Sequence, residues 1–239
     1  SHGLDFPELL TFIVDNSTLR RLRFVTSHPK DFDAKLIQVM AEKEAICNHL
    51  HLPVQSGSNR ILAAMNRKYS VEHYLNLIVS LRNLIPAISV STDIIVGFPD
   101  EKEADFQATQ DLLRQVAYDT AFIFHYQQRQ DTAAAELPDN VPLAEKLNRV
   151  QRLVDLQNKI STQQMAKLHH RTVEILVEGQ SKRGENLMMG RTKTNKIVHY
   201  TGSISDVGKE LLVHVEEVFP HSARGSARAR NSSPSDRDI

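Results

Sequence analysis

Along the first half of the chain, short β-branched runs alternate with stretches whose apolar residues recur at helical spacing. Residues 22–26 (LRFVT) read as a strand and residues 33–42 as a helix. Residues 49–53, reaching into Val54, form a second short strand, followed by a helix over about 58–66. A longer helix covers 71–84, with Tyr74, Leu75, Ile78 and Leu81 on one face. Residues 89–98 read as a buried strand, ended by Gly97 and Pro99. A helix over 102–117 then turns Phe106, Leu112, Leu113 and Val116 inward, and residues 118–126 close the series as a strand. Strands alternating with helices predict an α/β unit: a parallel sheet with right-handed crossovers, either open or part of a β/α barrel. In both, ligands sit at the carboxyl ends of the strands.

Residues 127–142 are polar and turn-rich, a connection. The longest helix runs over 143–169, its stripe of Leu143, Leu147, Val150 and Val154 packed on a core. At Thr172 the pattern changes. Residues 172–177, 186–191, 197–200 and 211–218 are short strands separated by Gly179, Gly190, Gly202 and Gly208, the spacing of a small antiparallel barrel. From Ser222 onward, Ser, Arg and Ala replace large apolar groups, which predicts a disordered tail made mildly basic by Arg224, Arg228, Arg230 and Arg237. The expected organisation is an α/β domain over 1–141, a linking helix over 142–170, a barrel over 171–222 and a tail over 223–239.

Composition narrows the picture. The chain is 41% hydrophobic and 24% charged, an ordinary globular balance, without a run of apolar residues long enough for a membrane span and without a signal-peptide pattern at its start. That predicts a cytoplasmic protein. The first residue is Ser1 and the first methionine Met40, which suits a fragment or trimmed ends. Formal net charge is zero, so any RNA site must be a local patch. The single cysteine, Cys47, cannot form an internal disulfide or supply the several thiolates of a zinc or iron–sulfur site, and reads as a small buried hydrophobe. His28, His49 and His51 have no helical i, i+4 pairing or carboxylate partner in sequence, and read as structural rather than metal-binding. No Ser-His-Asp order, Walker loop or G-x-G-x-x-G string supports hydrolysis or phosphoryl transfer.

Candidate chemistry gathers where strands end: residues 26–29 (TSHP), residues 55–58 (QSGS), Asp93 inside the third strand, and residues 97–101 (GFPDE) after it. Hydroxyls, an amide and glycines there offer hydrogen bonds and close backbone approach to a ligand, although Ser58 equally suits an N-cap. Asp93 draws most notice, because a buried carboxylate in an apolar strand requires a partner. In the small barrel, residues 181–183 (SKR) and 190–196 (GRTKTNK) concentrate cations in two turns, with His199 and Tyr200 as a possible stacking surface for RNA.

Three strings stand in order: HLPVQSGS at 51–58, STDIIVGFP at 91–99 and GRTKTNKIVHY at 190–200. Together they resemble the MiaB-type tRNA methylthiotransferases, a radical S-adenosylmethionine (SAM) family, over residues 4–222. The resemblance implies the later strands and helices of a partial radical SAM β/α barrel, followed by a TRAM domain. It implies an enzyme that adds a methylthio group to N6-isopentenyladenosine beside the tRNA anticodon, with SAM and 4Fe–4S clusters as cofactors, an electron donor, tRNA as partner and a monomer at full length. Gln55, Ser56, Ser58, Asp93, Gly97, Phe98 and Pro99 would line the SAM pocket, and Lys182, Arg191, Lys193, Asn195 and Lys196 would face tRNA. The cluster-binding cysteines of the family are absent from this sequence and would lie upstream of Ser1, leaving the chain alone without catalytic or metal residues and inert. The family usually has Gly at the position of Asp100 and Gly-Thr at Asp131-Thr132. Alternatives are a non-catalytic RNA-binding protein, or a methylthiotransferase acting on a ribosomal protein.

Overall fold

The computed structural model describes residues 3–25, 29, 32–129, 133–182, 184 and 186–228. The chain divides into two compact units, Ser1–Ser161 and Thr162–Ile239.

In the first unit, helix α1 (Phe6–Asp15), absent from the sequence reading, starts at a capping box in which Asp5 accepts from the Glu8 N–H and Glu8 reaches back. Helix α2 (Ala34–Glu42) starts at an Asp33 N-cap, one residue inside the span read as helix. Strand β1 (His49–His51) leads to α3 (Asn59–Ala64), capped by Ser58, and α4 (Val71–Leu84), capped by Ser70. Strand β2 (Ser89–Val96), α5 (Glu103–Val116) and β3 (Thr120–His125) follow. The sheet is parallel, in the order β1-β2-β3. Residues 22–25 do not form the predicted strand, and residue 26 lies outside the described residues: this segment makes a single parallel bridge, Leu22 to Ile46. One face of the sheet (Leu50, Val90, Ile94, Val96) joins a core with Tyr74, Leu81, Phe106, Leu113 and Tyr118, all fully buried. Each such side chain contributes roughly 1.5–3 kcal/mol by leaving water. Cys47 is buried, as expected.

Helix α6 (Leu143–Ala166) is more than a connector. Leu153 and Ile160 belong to the α/β core, which is why residues 143–161 group with the first unit. Leu143 and Leu147, read as part of its inward stripe, are instead exposed.

The second unit is a closed barrel of β4 (Thr172–Gln180), β5 (Leu187–Arg191), β6 (Ile197–Thr201), β7 (Glu210–Phe219) and β8 (Ser222–Arg228), in the order β4-β5-β6-β8-β7. The predicted tail thus begins too early, since residues 222–228 are the strand that closes the barrel. Composition misled because β8 needs only small inward residues: Ala223 and Gly225 are buried, while Arg224, Ser226 and Arg228 face out. Residues 229–239 lie outside the described residues.

Candidate functional site

The two strand-end strings meet at one end of the parallel sheet. After β1 the chain runs on beside β2, with the Gln55 N–H donating to the Asp93 carbonyl (2.9 Å) and the Ile95 N–H to the Gln55 carbonyl (2.9 Å). Gln55 is buried and has φ +70°, a left-handed conformation that costs a non-glycine residue on the order of 1 kcal/mol or more. A side chain kept at a position that glycine would fill more cheaply points to a use for that side chain.

The neighbouring hydroxyls are committed within the fold. Ser58 Oγ donates to Asp105 Oδ1 (2.6 Å) and caps α3; Ser56 Oγ accepts from the Ser58 N–H (3.2 Å) and lies 3.4 Å from Thr109 Oγ1. The glycines are likewise filled by protein. A Cβ at Gly57 would lie 2.5 Å from the Ala108 carbonyl oxygen, and one at Gly97 2.3 Å from Lys146 Cγ. Their close approach therefore serves packing against α5 and α6. Phe98 is buried edge-on to Tyr126, with ring centroids 5.0 Å apart.

Beneath the turns lie ionic groups that the sequence reading did not single out. Arg60 bonds Asp100 through Oδ2 (2.9 Å) and its carbonyl (2.8 Å), and also grips Asp105. Burial raises the Asp105 pKa, but hydrogen bonds from Arg60, Ser58 and the Lys102 N–H outweigh it and hold the carboxyl down to about 2. A lowered carboxyl stabilises the fold above its unfolded pKa, near 3.8, and that contribution fades as pH falls through 2. Asp105→Asn is therefore expected to lose up to about 2 kcal/mol at pH 6, discounted for the half-exposed Arg60, and to match the parent near pH 2, checked by urea titrations at both. Asp100 has φ +63°, which explains why glycine suits this position; its carboxylate turns to Arg60. Asp131 and Thr132 lie outside the described residues.

Glu101 is buried, and its Oε2 accepts from the Gly97 N–H and from Arg149 Nη1 (2.7 Å). Burial pushes its pKa up, opposed by those two hydrogen bonds. Its Oε1 is buried without a hydrogen-bond partner. Nothing in the sequence marked Arg149, which lies distant in the chain on an otherwise ordinary helix.

Asp93 lies mid-strand on the other face of the sheet, not deep in the core. Its side chain is 32% exposed, with Oδ2 3.4 Å from His51 Nε2. Of the string at 26–29, only Pro29 is among the described residues, so Thr26, Ser27 and His28 have no place here. Among the described residues, no group of three His, Cys, Asp or Glu could hold a metal ion. A 4Fe–4S cluster, held by several thiolates, does not fit a chain whose one cysteine is the buried Cys47.

In the barrel, the string at 190–196 is a self-bonded turn. Arg191 pairs with Glu178 (3.1 Å) and donates to the Asn195 carbonyl (3.3 Å); Thr192 Oγ1 accepts from the Lys196 N–H (3.0 Å) and lies 2.8 Å from Thr194 Oγ1. Asn195 has φ +63°, and Lys196 Nζ reaches the Gln164 carbonyl (3.5 Å). Lys193 is half-buried and Lys182 exposed; Arg183 lies outside the described residues. Arg224 and Arg228, which the sequence reading put in the tail, stand exposed on β8.

Comparison with known proteins follows the same division. Residues 3–113 match the radical SAM superfamily and residues 166–227 the TRAM domain. The tRNA-2-methylthio-N(6)-dimethylallyladenosine synthase of Thermoanaerobacter sp. (strain X514) is 47% identical over 231 residues, covering 94% of this chain and 49% of that protein. Its namesake in Carboxydothermus hydrogenoformans is 50% identical over 212 residues, covering 89% and 48%. Among solved structures, coproporphyrinogen III oxidase of Escherichia coli, a radical SAM enzyme, matches with TM-score 0.50 at 15% identity over 72% of this chain and 46% of that one, a likeness of fold alone. The chain spans about half the length of the curated relatives it matches. With both halves matched in this order, the chain belongs to the radical SAM superfamily and, within it, to the family of the tRNA-2-methylthio-N(6)-dimethylallyladenosine synthases.

Proposed function

We propose that this chain is the SAM-side sheet and RNA-gripping barrel of a cytoplasmic enzyme that adds a methylthio group to N6-isopentenyladenosine beside the tRNA anticodon. The observation that carries this reading is the identity to synthases of that name along nine-tenths of the chain. SAM, when bound, supplies the methyl group and the hydrogen-abstracting chemistry. Gln55 would hold it at the strand ends, with Asp93 bordering the same sheet and Glu101 fixing the Gly97 turn from within. Ser56, Ser58, Gly97, Phe98 and Pro99 shape the turns that present those groups. The iron–sulfur clusters are held by residues other than these and reduced by a separate electron donor, so the chain by itself is inactive, and the complete enzyme acts as a monomer.

The barrel would grip tRNA through Lys182 and Lys193, joined by the exposed Arg224 and Arg228. In Arg191, Asn195 and Lys196 the same string builds the turn that carries Lys193. Cells from which the coding region is deleted are expected to lose the 2-methylthio group and keep N6-isopentenyladenosine in hydrolysed tRNA, read by mass spectrometry; unchanged nucleosides would remove the reading. For the barrel, Lys182→Glu with Arg224→Glu is expected to weaken tRNA binding and to flatten its log–log salt dependence by about 1–2, one released counterion per lost phosphate contact.

A further inference from the structure

The sheet of the α/β unit has a second face that the strand-end site leaves unused. It carries His49 and His51 from β1, Ser91 and Asp93 from β2, and Phe122 and Phe124 from β3, aligned by the pairs His51–Ser91, Asp93–Phe122 and Ile95–Phe124. Ser91 Oγ lies 3.2 Å from His49 Nε2 and 3.0 Å from His51 Nδ1, and His51 Nε2 lies 3.4 Å from Asp93 Oδ2. With Asp93 ionised, these contacts run one way: His51 donates to Asp93, Ser91 donates to His51 and His49 donates to Ser91. The series fixes the carboxylate while leaving it lone pairs for an incoming donor. Beside it, Phe122 and Phe124 are 50% and 53% exposed, two rings in successive outward positions of one strand, and Phe122 lies edge-on to His51 at 6.0 Å.

Half-exposed aromatic rings next to a held carboxylate are the two elements of base recognition: a stacking surface and an acceptor for an exocyclic N–H. We propose that this face binds the target base, an N6-alkylated adenine, which stacks on Phe122 and Phe124 and donates its remaining N6–H to Asp93. His51, Ser91 and His49 act as positioning residues for that carboxylate. This rests on the reading that the acceptor is a tRNA adenosine. Adenine is also part of SAM, but the turn at Gly97 lies four residues beyond Asp93, about 13 Å along an extended strand, which leaves room for two ligands side by side.

The test is titration of the 15N-labelled chain with N6-isopentenyladenosine, followed by amide shifts. Saturable shifts are expected over 49–51, 91–95 and 120–125. Phe122→Ala with Phe124→Ala is expected to weaken binding at least tenfold with an otherwise unchanged spectrum, since both rings are half-exposed. N6-Methyl-N6-isopentenyladenosine, which keeps the alkyl group but has no N6–H, should bind the parent chain as weakly as N6-isopentenyladenosine binds Asp93→Ala; a merely structural Asp93 would not produce that match. Unchanged affinity in the double variant, no saturable shifts at millimolar nucleoside, or displacement of the nucleoside by SAM from the same amides would each overturn the proposal. None of these results depends on tRNA binding by the barrel or on the nucleosides of the deletion strain, so this proposal and the functional reading can fail separately.

Discussion

Arg149→Met is expected to destabilise the α/β unit by about 3–5 kcal/mol, because it strips the partner from a carboxylate held out of water. Arg149 and Glu101 have side chains 6% and 0% exposed, and the guanidinium also donates to the Glu101 carbonyl (3.1 Å) and to Glu145 (2.9 Å). Removing the cation leaves Glu101 with the Gly97 N–H alone on its side chain. The defect should depend on pH in a determined direction. Burial already raises the Glu101 pKa, so its carboxyl favours the fold below its unfolded pKa, near 4.5, and that contribution is lost as pH rises through the folded value. Without Arg149 the folded value climbs further, so the loss in urea titrations should be larger at pH 8 than at pH 5. Adding Glu101→Gln should restore much of it, since the amide oxygen can still accept from Gly97 and no charge remains buried. A loss of similar size at both pH values, unrelieved by the second change, would show that packing of the methionine, not the orphaned charge, is responsible.

The second large effect belongs to the barrel. Gly225 sits between Tyr200 of β6 and Val215 of β7, and a Cβ there would lie 1.9 Å from the His214 carbonyl oxygen. No rotamer relieves a clash between Cβ and backbone, so Gly225→Ala must move β8 away from β7 or leave the barrel open. A cost of about 3 kcal/mol, the upper part of the range for overpacked interiors, is expected. Amide exchange should report it as faster exchange across 197–201 and 210–228, while 89–96 in the α/β unit stays protected. Equal loosening of both units would argue against the division of the chain between residues 161 and 162.

How much of this was legible beforehand follows from what each residue has to contact. The helices over 71–84 and 103–116 were readable because their apolar spacing is a local signal. The turns around 55–58 and 97–99 were readable as a shared region and Ser58 as an N-cap, but their long-range partners were not: nothing in the sequence shows that Asp105 and Lys146 fold onto Ser58 and Gly97 from about fifty residues away. The same blindness hid Arg149, whose importance lies wholly in a long-range partner. His51 and Asp93 were noticed separately and read as unrelated; only the parallel register puts them on one face. Strand β8 was missed because a strand with alanine and glycine inside and arginine outside has the composition of a tail.

The strand order of the barrel has a consequence for how the protein is made. Strand β8 pairs in parallel with β6 and antiparallel with β7, and so supplies both missing edges at once. The three described strands of the α/β sheet, by contrast, have all been made by His125. As the chain emerges during synthesis, the first unit can assemble while the barrel still has two open edges exposed. The window in which a nascent barrel can pair with a neighbouring chain closes only when residues 222–228 have emerged, which makes the least hydrophobic strand the timer of the whole second unit.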